Sequence, residues 1–210
     1  MGQLEPVVSD RRVLLDQIEE YRDFLAGTPR GERDEFLPFF QARPQLAVFL
    51  GNLHSHIGAA DHVAYEFPLW GGFVCDLVAG SRAHGAFVFA EFEDAGEKSL
   101  FNRVRRRRVS RWGNRVESGI SQVTDWLFRL DSARNSAEME RDLGTRAPRP
   151  VGLVVVGRSA EIDACDASRL QWRLRNTIIG GSQIIIWTYD DLPAWLDSRA
   201  MILRTEEPEG

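Results

Sequence analysis

The first 50 residues of the chain place apolar and polar residues with helical spacing. Apolar positions three and four apart between Ser9 and Gly27 predict one amphipathic helix that ends at the glycine. A second helical stretch is predicted over 32–42, and Pro44 favours a further short helix that ends near Leu50. The pattern therefore predicts a short helical N-terminal extension over residues 1–55.

The pattern changes to that of β-strands after His62. Three short runs of β-branched and aromatic residues are separated by glycine-containing turns, and they cover 63–69, 73–79 and 86–93. Runs of this length, bounded by glycine, are typical of strands that pair in chain order. We expect an antiparallel three-stranded meander.

Helices and strands alternate in the rest of the chain. We expect a helix over 114–130, a flexible polar loop over 134–150, a buried strand over 151–156, a helix capped by Asp166 that ends near 178, a strand over 183–188 and a helix over 190–199. This order predicts an α/β fold, a mixed β-sheet flanked by helices, in one domain over 56–203. Residues 204–210 are expected to form a disordered tail.

Composition narrows the class of protein. Of the 210 residues, 43% are hydrophobic and 27% are charged, which is a globular composition. No apolar run approaches the ~20 residues that a membrane helix needs, and the N-terminus lacks the pattern of a signal peptide. The two cysteines, Cys75 and Cys165, are too few for a disulfide framework. We therefore expect a cytoplasmic protein with no membrane partner.

Charge is distributed very unevenly along the chain. The net charge is −5, which argues against non-specific binding to nucleic acid, and Lys98 is the only lysine. Residues 103–115 nevertheless contain seven arginines and no acid. Such a local excess predicts a surface for an anionic partner. The arginines are Arg103, Arg105, Arg106, Arg107, Arg108, Arg111 and Arg115.

Acidic residues of the predicted meander are expected to meet on one face of the sheet. A two-residue turn at 83–84 would place Asp76 directly opposite Glu91, with Cβ atoms ~5 Å apart. Two carboxylates at this distance repel unless a cation lies between them, and oxygen-rich sites suit Mg²⁺ or Mn²⁺. A turn centred on Gly71 would add Glu66 as a third carboxylate. The alternative is a solvated sheet face whose acids pair with arginines.

Four segments of the chain resemble a known family. An Asp in one strand followed by Glu-x-Lys, or a substitute, in the next strand resembles the core of the PD-(D/E)XK nucleases. The similarity is closest to the Shedu family of antiphage defence nucleases, and its motifs occur in the right order and spacing within residues 32–200. The motifs are Phe87-Val88-Phe89-Ala90-Glu91-Phe92-Glu93-Asp94-Ala95, Glu117-Ser118-Gly119-Ile120-Ser121-Gln122-Val123-Thr124-Asp125-Trp126, Val156-Gly157-Arg158 and Tyr189-Asp190-Asp191-Leu192.

The resemblance implies a PD-(D/E)XK-type, metal-dependent endonuclease that cuts or nicks DNA in a prokaryotic antiphage defence system. It implies a homo-oligomer, expected to be a tetramer, and Mg²⁺ as cofactor with Mn²⁺ as a substitute. Asp76 and Glu91 match the metal-binding carboxylates, with Glu66 as a candidate third ligand. Gln122 matches a glutamine that borders the active site. The arginine run is then the surface that binds DNA.

Glu93 departs from the family pattern, because the usual residue at its position is a lysine that orients the attacking water and stabilises charge on the phosphate. A glutamate there can act as general base or as a further metal ligand, as in some restriction endonucleases. Lys98, five residues on, is another candidate for the missing cation. The departure leaves a second interpretation open, a catalytically weak DNA-binding or sensor module that acts through its oligomer.

Two further features have both a structural and a functional interpretation. The histidines at 54, 56 and 62 lie close in sequence, but the other ligands of a zinc site are missing nearby, which favours helix-end and loop positions. Trp112, beside the arginine run, can either stack on a base or sugar or pack in the core.

Overall fold

A seven-stranded mixed sheet forms the centre of the computed structural model, which describes residues 2–103 and 109–205. The strands of the described residues are β1 (Glu5–Pro6), β2 (His62–Leu69), β3 (Phe73–Ser81), β4 (Ala86–Phe92), β5 (Phe101–Asn102), β6 (Arg111–Trp112), β7 (Arg149–Val155), β8 (Ile178–Ile179) and β9 (Ser182–Trp187). Within the sheet the order is β1-β2-β3-β4-β7-β9-β8, while β5 and β6 form a separate ribbon. The mixed α/β fold predicted from the sequence is confirmed.

Helices cover both faces of this sheet. The α-helices are α1 (Arg11–Ala26), α2 (Leu37–Gln41), α3 (Pro44–Phe49), α4 (Asn114–Ser132), α5 (Ala137–Leu143), α6 (Ala164–Asn176) and α7 (Asp191–Thr205). A π-helical turn, Glu32–Phe36, leads into α2, and a 3₁₀ turn, Leu50–Leu53, follows α3. None of the helices in the described ranges is long and apolar enough to cross a membrane.

The antiparallel half of the sheet has the predicted register. Strands β3 and β4 pair from Ser81↔Ala86 to Leu77↔Ala90, and the hydrogen bond from Gly85 N to Arg82 O (3.2 Å) closes the expected two-residue turn. This register continues to place Asp76 opposite Glu91. Strand β4 then pairs in parallel with β7, and β7 with β9, so that β4 lies inside the sheet with every residue buried.

The hydrophobic core has two parts because the strands alternate their side chains between the two faces. One cluster joins α1, α2, α3 and α7 to Leu77, Ala90 and Phe92. The other joins α4, α5 and α6 to Val78 and Phe89. The N-terminal helices therefore cover one face of the sheet, and their apolar side chains belong to the same hydrophobic cluster as those of the strands.

Three sequence predictions about local structure are wrong. The first 55 residues are not all helical, because Glu5–Pro6 pairs with β2 as an edge strand. The segment 134–150 is not a loop throughout, because Met139 and Leu143 are fully buried and anchor α5. Asp166 does not cap α6, since the Asp163 carboxylate accepts the capping bond from Asp166 N at 2.9 Å.

Candidate active site

Asp76 lies just beyond the last pair of the β3–β4 ladder, at an interruption in the pairing of β2 with β3. The pairing of β3 with β4 stops at Leu77, and the pairing of β2 with β3 skips Glu66 and Asp76. The Asp76 carboxylate takes over as a hydrogen-bond partner, because its Oδ2 accepts the Phe92 N–H at 2.9 Å. The carboxylate is therefore fixed at the end of the β3–β4 ladder.

Glu91 is the centre of the cluster. Its side chain forms a hydrogen bond with that of Asp76, and Gln122 of α4 donates from Nε2 to Glu91 Oε1 at 2.7 Å. Burial, with the charges of Asp76 and Glu93 next in importance, raises the pKa of Glu91 to about 10. Burial also raises the pKa of Asp76, although the hydrogen bond from Phe92 N opposes that rise. Near neutral pH the two carboxyl groups therefore hold a proton between them.

Glu93, on the same strand edge, faces a cation. Its side chain is only 2% exposed, and Arg115 Nη1 lies 3.5 Å from its Oε2. Burial raises the pKa of Glu93, while the Ser118 hydroxyl and Arg115 oppose the rise. Arg115 Nη2 also lies 2.6 Å from Asp94 Oδ2, so one guanidinium spans both acids.

Gly119 explains how α4 approaches the strands closely enough to deliver these partners. A Cβ at this position would lie 2.7 Å from Val154 Cγ1 and 3.3 Å from Glu93 Cγ. Real Cβ contacts are rarely that short, so any side chain here would push the helix away. The glycine keeps Ser118 and Gln122 within reach of the acidic residues of β4.

The two remaining motifs, which contain Gly157 and Tyr189, form hydrogen bonds with the backbone just after β4. The buried Tyr189 donates its hydroxyl to Glu93 O at 2.7 Å, and its ring stacks on Phe36 at 3.5 Å between centroids. Gly157, with φ at +68°, donates its N–H to Asp94 O at 3.1 Å. All four segments that resemble the Shedu family thus meet around Glu91–Asp94.

Glu32 is a member of the cluster that sequence reasoning missed. It begins the π-helical turn before α2, and its side chain is 14% exposed. Burial, followed by the charges of Asp76 and Glu93, raises its pKa to about 7. A π-helical turn is often found at functional sites, but this one cannot be read from the apolar spacing, which fits an ordinary helix. In the sequence Glu32 is one of four consecutive charged residues, 32–35, and nothing there distinguishes it from an exposed acid.

Other candidates lie outside the cluster. Glu66 is opposite Asp76 in register but adopts φ at +46° and exposes its side chain, and its charge reaches Asp76 only as a weak repulsion. Lys98 is exposed on the loop after β4. His54 is buried, with Nε2 3.0 Å from Arg149 O and Nδ1 accepting His56 N–H at 3.2 Å. Both ring nitrogens are in use, which disfavours a zinc role.

The donor set suits an open magnesium or manganese site, completed by water and substrate, better than a site closed by protein ligands alone. Across residues 2–103 and 109–205, no group of three or more His, Cys, Asp or Glu side chains is arranged to hold a metal by itself. Mg²⁺, however, is usually held by one or two carboxylates and completes its shell with water and substrate phosphate. The Asp76–Glu91 pair offers two hard oxygen donors of this kind.

The basic residues near the site differ in their contacts and in their exposure. Arg103 pairs with Asp163 at 3.1 Å, and Arg111 is exposed at the start of β6. Trp112 is half-buried against Phe101, at 4.5 Å between ring centroids, and carries Arg169 and Arg173 over its ring. The rest of the predicted arginine run, Arg105, Arg106, Arg107 and Arg108, lies outside the described residues.

A polar cleft of about 510 Å³ opens beside the cluster. Its charged lining residues are three cations, Arg30, Lys98 and Arg115, and two acids, Asp94 and Glu97. Asp94 and Arg115 therefore face this cleft from the edge of the acidic cluster.

Comparison with known proteins identifies the family. Residues 30–192 match the family model described as Shedu protein SduA, C-terminal. The match covers most of the chain and spans every acid of the cluster, from Glu32 to Asp94, together with Gln122. No curated protein matches the chain.

Proposed function

The chain belongs to the Shedu family, and from that premise we propose that it is a metal-dependent DNA endonuclease of an antiphage defence system. We propose further that its sheet is a PD-(D/E)XK-type core, with Mg²⁺ as the cofactor and Mn²⁺ as a substitute. Family membership supports the role in defence. The chemistry of the site supports the nuclease.

The observation that carries the proposal is the hydrogen-bonded pair of Asp76 and Glu91. Two buried carboxyl groups in contact are unfavourable for folding unless something stabilises their charge. A divalent cation does so, and loss of the shared proton on binding turns the pair into a strong ligand. A buried acid pair at the end of a ladder, with Arg115 close by at Glu93, suits a phosphodiester substrate.

Each residue then has a definite task in hydrolysis. Asp76 and Glu91 would hold the ion, with Gln122 fixing the orientation of the Glu91 carboxylate. A bound ion of this kind supplies Lewis-acid stabilisation of the phosphate and a more acidic water. Glu93, whose pKa is raised by burial, is suited to accept a proton from the attacking water. Glu32 adds a further acid, half titrated near pH 7, at the edge of the site.

The presence of an acid at position 93 also favours a second candidate function, that of a DNA-binding or sensor module. The position that carries lysine in related nucleases holds an acid that is already paired with Arg115. A domain without the cation could bind DNA without cutting it and act as a sensor through its oligomer. The two functions differ in whether cleavage occurs with a divalent ion.

Cleavage of supercoiled plasmid tests the proposal. The wild-type protein should nick or linearise the plasmid with Mg²⁺ or Mn²⁺ and not with EDTA. Glu91→Gln and Asp76→Asn should lose at least ~10²-fold in rate, because each removes a charged ligand. Glu138→Gln, an exposed acid on α5, is the matched control. DNA binding without cleavage under every metal condition would favour the sensor function instead.

A further inference from the structure

The acidic cluster raises a problem for an anionic substrate. Five carboxyl groups gather at this end of β4, and they belong to Glu32, Asp76, Glu91, Glu93 and Asp94. A phosphate diester that approaches them is repelled unless cations are placed beside it. One divalent ion does not balance this many acids together with a phosphate. A protein cation is needed close to the reacting phosphate.

Within the described part of the chain, two arginines form ion pairs with this cluster. Arg33 pairs with Glu32 at 3.6 Å, but its side chain is 85% exposed and points into solvent. Arg115 reaches both Glu93 and Asp94, and its side chain is 51% exposed. Of these two arginines, Arg115 is therefore the one that combines contact with a buried acid and access to the cleft.

The backbone of Arg115 is held firmly. Gly113 N donates to Leu100 O at 2.7 Å, and Val116 N donates to Ser99 O at 3.1 Å, which ties the start of α4 to the loop after β4. A guanidinium on a fixed first turn can be aimed at a defined point. The contact with Asp94 then holds the guanidinium at the far end of the side chain.

The two contacts of Arg115 differ in length, and this difference leaves part of its guanidinium free for a substrate. The 2.6 Å contact with Asp94 is a strong charge-assisted bond, whereas the 3.5 Å contact with Glu93 is long. A guanidinium has five N–H donors in a planar fork. It can keep Asp94 as its anchor and still offer Nη1 to a phosphate oxygen that enters beside Glu93.

We propose that Arg115 is the cation that acts on the scissile phosphate, in place of the lysine that is absent at position 93. This inference rests on the proposed nuclease function. In the step, the water oxygen forms a bond to phosphorus and one ester oxygen leaves. A proton of the water passes to the Glu93 carboxylate, and the departing ester oxygen takes a proton from solvent. Arg115 stabilises the charge that develops on the non-bridging oxygens.

Arg134 supplies a matched control for the test. Its side chain is 50% exposed and pairs with Asp131 at 2.9 Å, so it resembles Arg115 in exposure and pairing but lies away from the cluster. The variants are Arg115→Ala, Arg115→Lys and Arg134→Ala. Thermal unfolding of each variant identifies any loss of fold before activity is measured.

Two measurements separate a role in chemistry from a role in structure. Under single-turnover conditions with saturating duplex DNA and Mn²⁺, Arg115→Ala should cut ~10²–10³-fold more slowly than wild type, the usual loss of one charge-stabilising donor. Arg115→Lys should recover at least tenfold, because it restores the charge. In EDTA, the slope of log affinity against log salt should become shallower by ~0.9 for Arg115→Ala, one lost phosphate contact. Arg134→Ala should match wild type in both.

The possible failures point to different conclusions. If the wild type cuts DNA and Arg115→Ala cuts as fast, the inference is overturned while the nuclease function stands. The same holds if Lys98→Ala is the variant that loses cleavage and Arg115→Ala is not, since Lys98 would then be the cation. If the wild type cuts under no metal condition, the proposed function itself fails. If Arg115→Ala does not fold, the cleavage rate of Arg115→Lys becomes the test. A folded Arg115→Lys variant that does not cut DNA would contradict the inference that the positive charge at this position stabilises the phosphate.

Discussion

The proposed metal site depends on individual carboxyl groups and on the residues that contact them. The pairing of Asp76 with Glu91 could be predicted from the sequence because a two-residue turn fixes the register of the hairpin, and that register has no freedom. The position of Glu32 beside this pair could not be predicted, because 43 residues of chain lie between it and Asp76 and only tertiary packing brings them together. Arg115 was expected to bind DNA. Its contact with Glu93 depends on the close approach of α4, which no local pattern reveals.

Replacement of Glu91 by glutamine should not destabilise the metal-free protein. The amide introduced at this position would mimic the protonated acid, since its oxygen can accept from Gln122 and its NH₂ can donate to Asp76. Asp76→Ala differs, because it leaves the buried Phe92 N–H without an acceptor at a cost of about 1–3 kcal/mol. Urea unfolding in EDTA at pH 7 should place Glu91→Gln at or above wild type and Asp76→Ala clearly below it. A large loss for Glu91→Gln would contradict the proton-sharing arrangement.

His54 should make the protein less stable in acid. Burial holds the pKa of His54 below its usual value, and the ring is satisfied only when neutral, since Nδ1 accepts from His56 N. A base whose folded pKa is depressed favours folding above its unfolded pKa of about 6.5, and this contribution is lost as pH falls. The raised pKa values of Glu91 and Glu32 act in the opposite direction over this range, so His54 is tested as a difference between two proteins. Between pH 7 and pH 5 the free energy of unfolding of the wild type should fall relative to that of His54→Gln. A difference between the two proteins that does not change with pH would rule out this role of His54.

At the scale of elements, the sequence was most informative where one periodicity dominated. The meander, α1 and α4 were predicted with nearly the observed bounds, since their apolar positions repeat cleanly. The edge strand β1 was missed because two residues carry no periodic signal, and α5 was missed because its polar majority hides Met139 and Leu143. The π-helical turn was missed since its apolar spacing fits an α-helix equally well.

Gly119 tests how much the approach of α4 matters. In Gly119→Ala, the added methyl would meet Val154 and Glu93, and overpacking of this kind typically costs about 1–3 kcal/mol. The gain in helix propensity, about 1 kcal/mol, offsets part of that cost. Urea unfolding should give Gly119→Ala a lower free energy of unfolding than Ser121→Ala, an exposed control on the same helix. Equal values would mean that α4 has room to spare and that the glycine is not required for the contact of Gln122 with Glu91.

Across the whole molecule, the acids of the cluster gather at one end of β4, whereas four of the seven arginines of the predicted run lie outside the described residues. The register that faces Asp76 with Glu91 was predicted from the sequence, and the DNA-binding surface stays a prediction. The division into an extension over 1–55 and a domain over 56–203 stays a prediction, as does the tetramer. The predicted tail over 204–210 lies mostly outside the described residues. Sedimentation analysis measures the oligomeric state directly.

The arginine run should govern affinity for DNA and leave the chemistry unchanged. Replacement of Arg105, Arg106, Arg107 and Arg108 by serine removes up to four phosphate contacts, so the slope of log affinity against log salt should become shallower by up to ~0.9 per contact. Single-turnover cleavage at saturating DNA should stay near wild type. A control with Arg12, Arg134, Arg141 and Arg146 replaced has the same net charge. If the two variants have the same slope, the run does not contact DNA.

Calorimetric titration of Mn²⁺ into the protein shows whether Asp76 and Glu91 together hold a divalent ion. We expect one Mn²⁺ site in the wild type and in Glu138→Gln, and loss of that site in both Asp76→Asn and Glu91→Gln while thermal unfolding shows that each variant is folded. Undiminished Mn²⁺ binding in the folded Asp76→Asn and Glu91→Gln variants would show that these two carboxylates do not hold the ion.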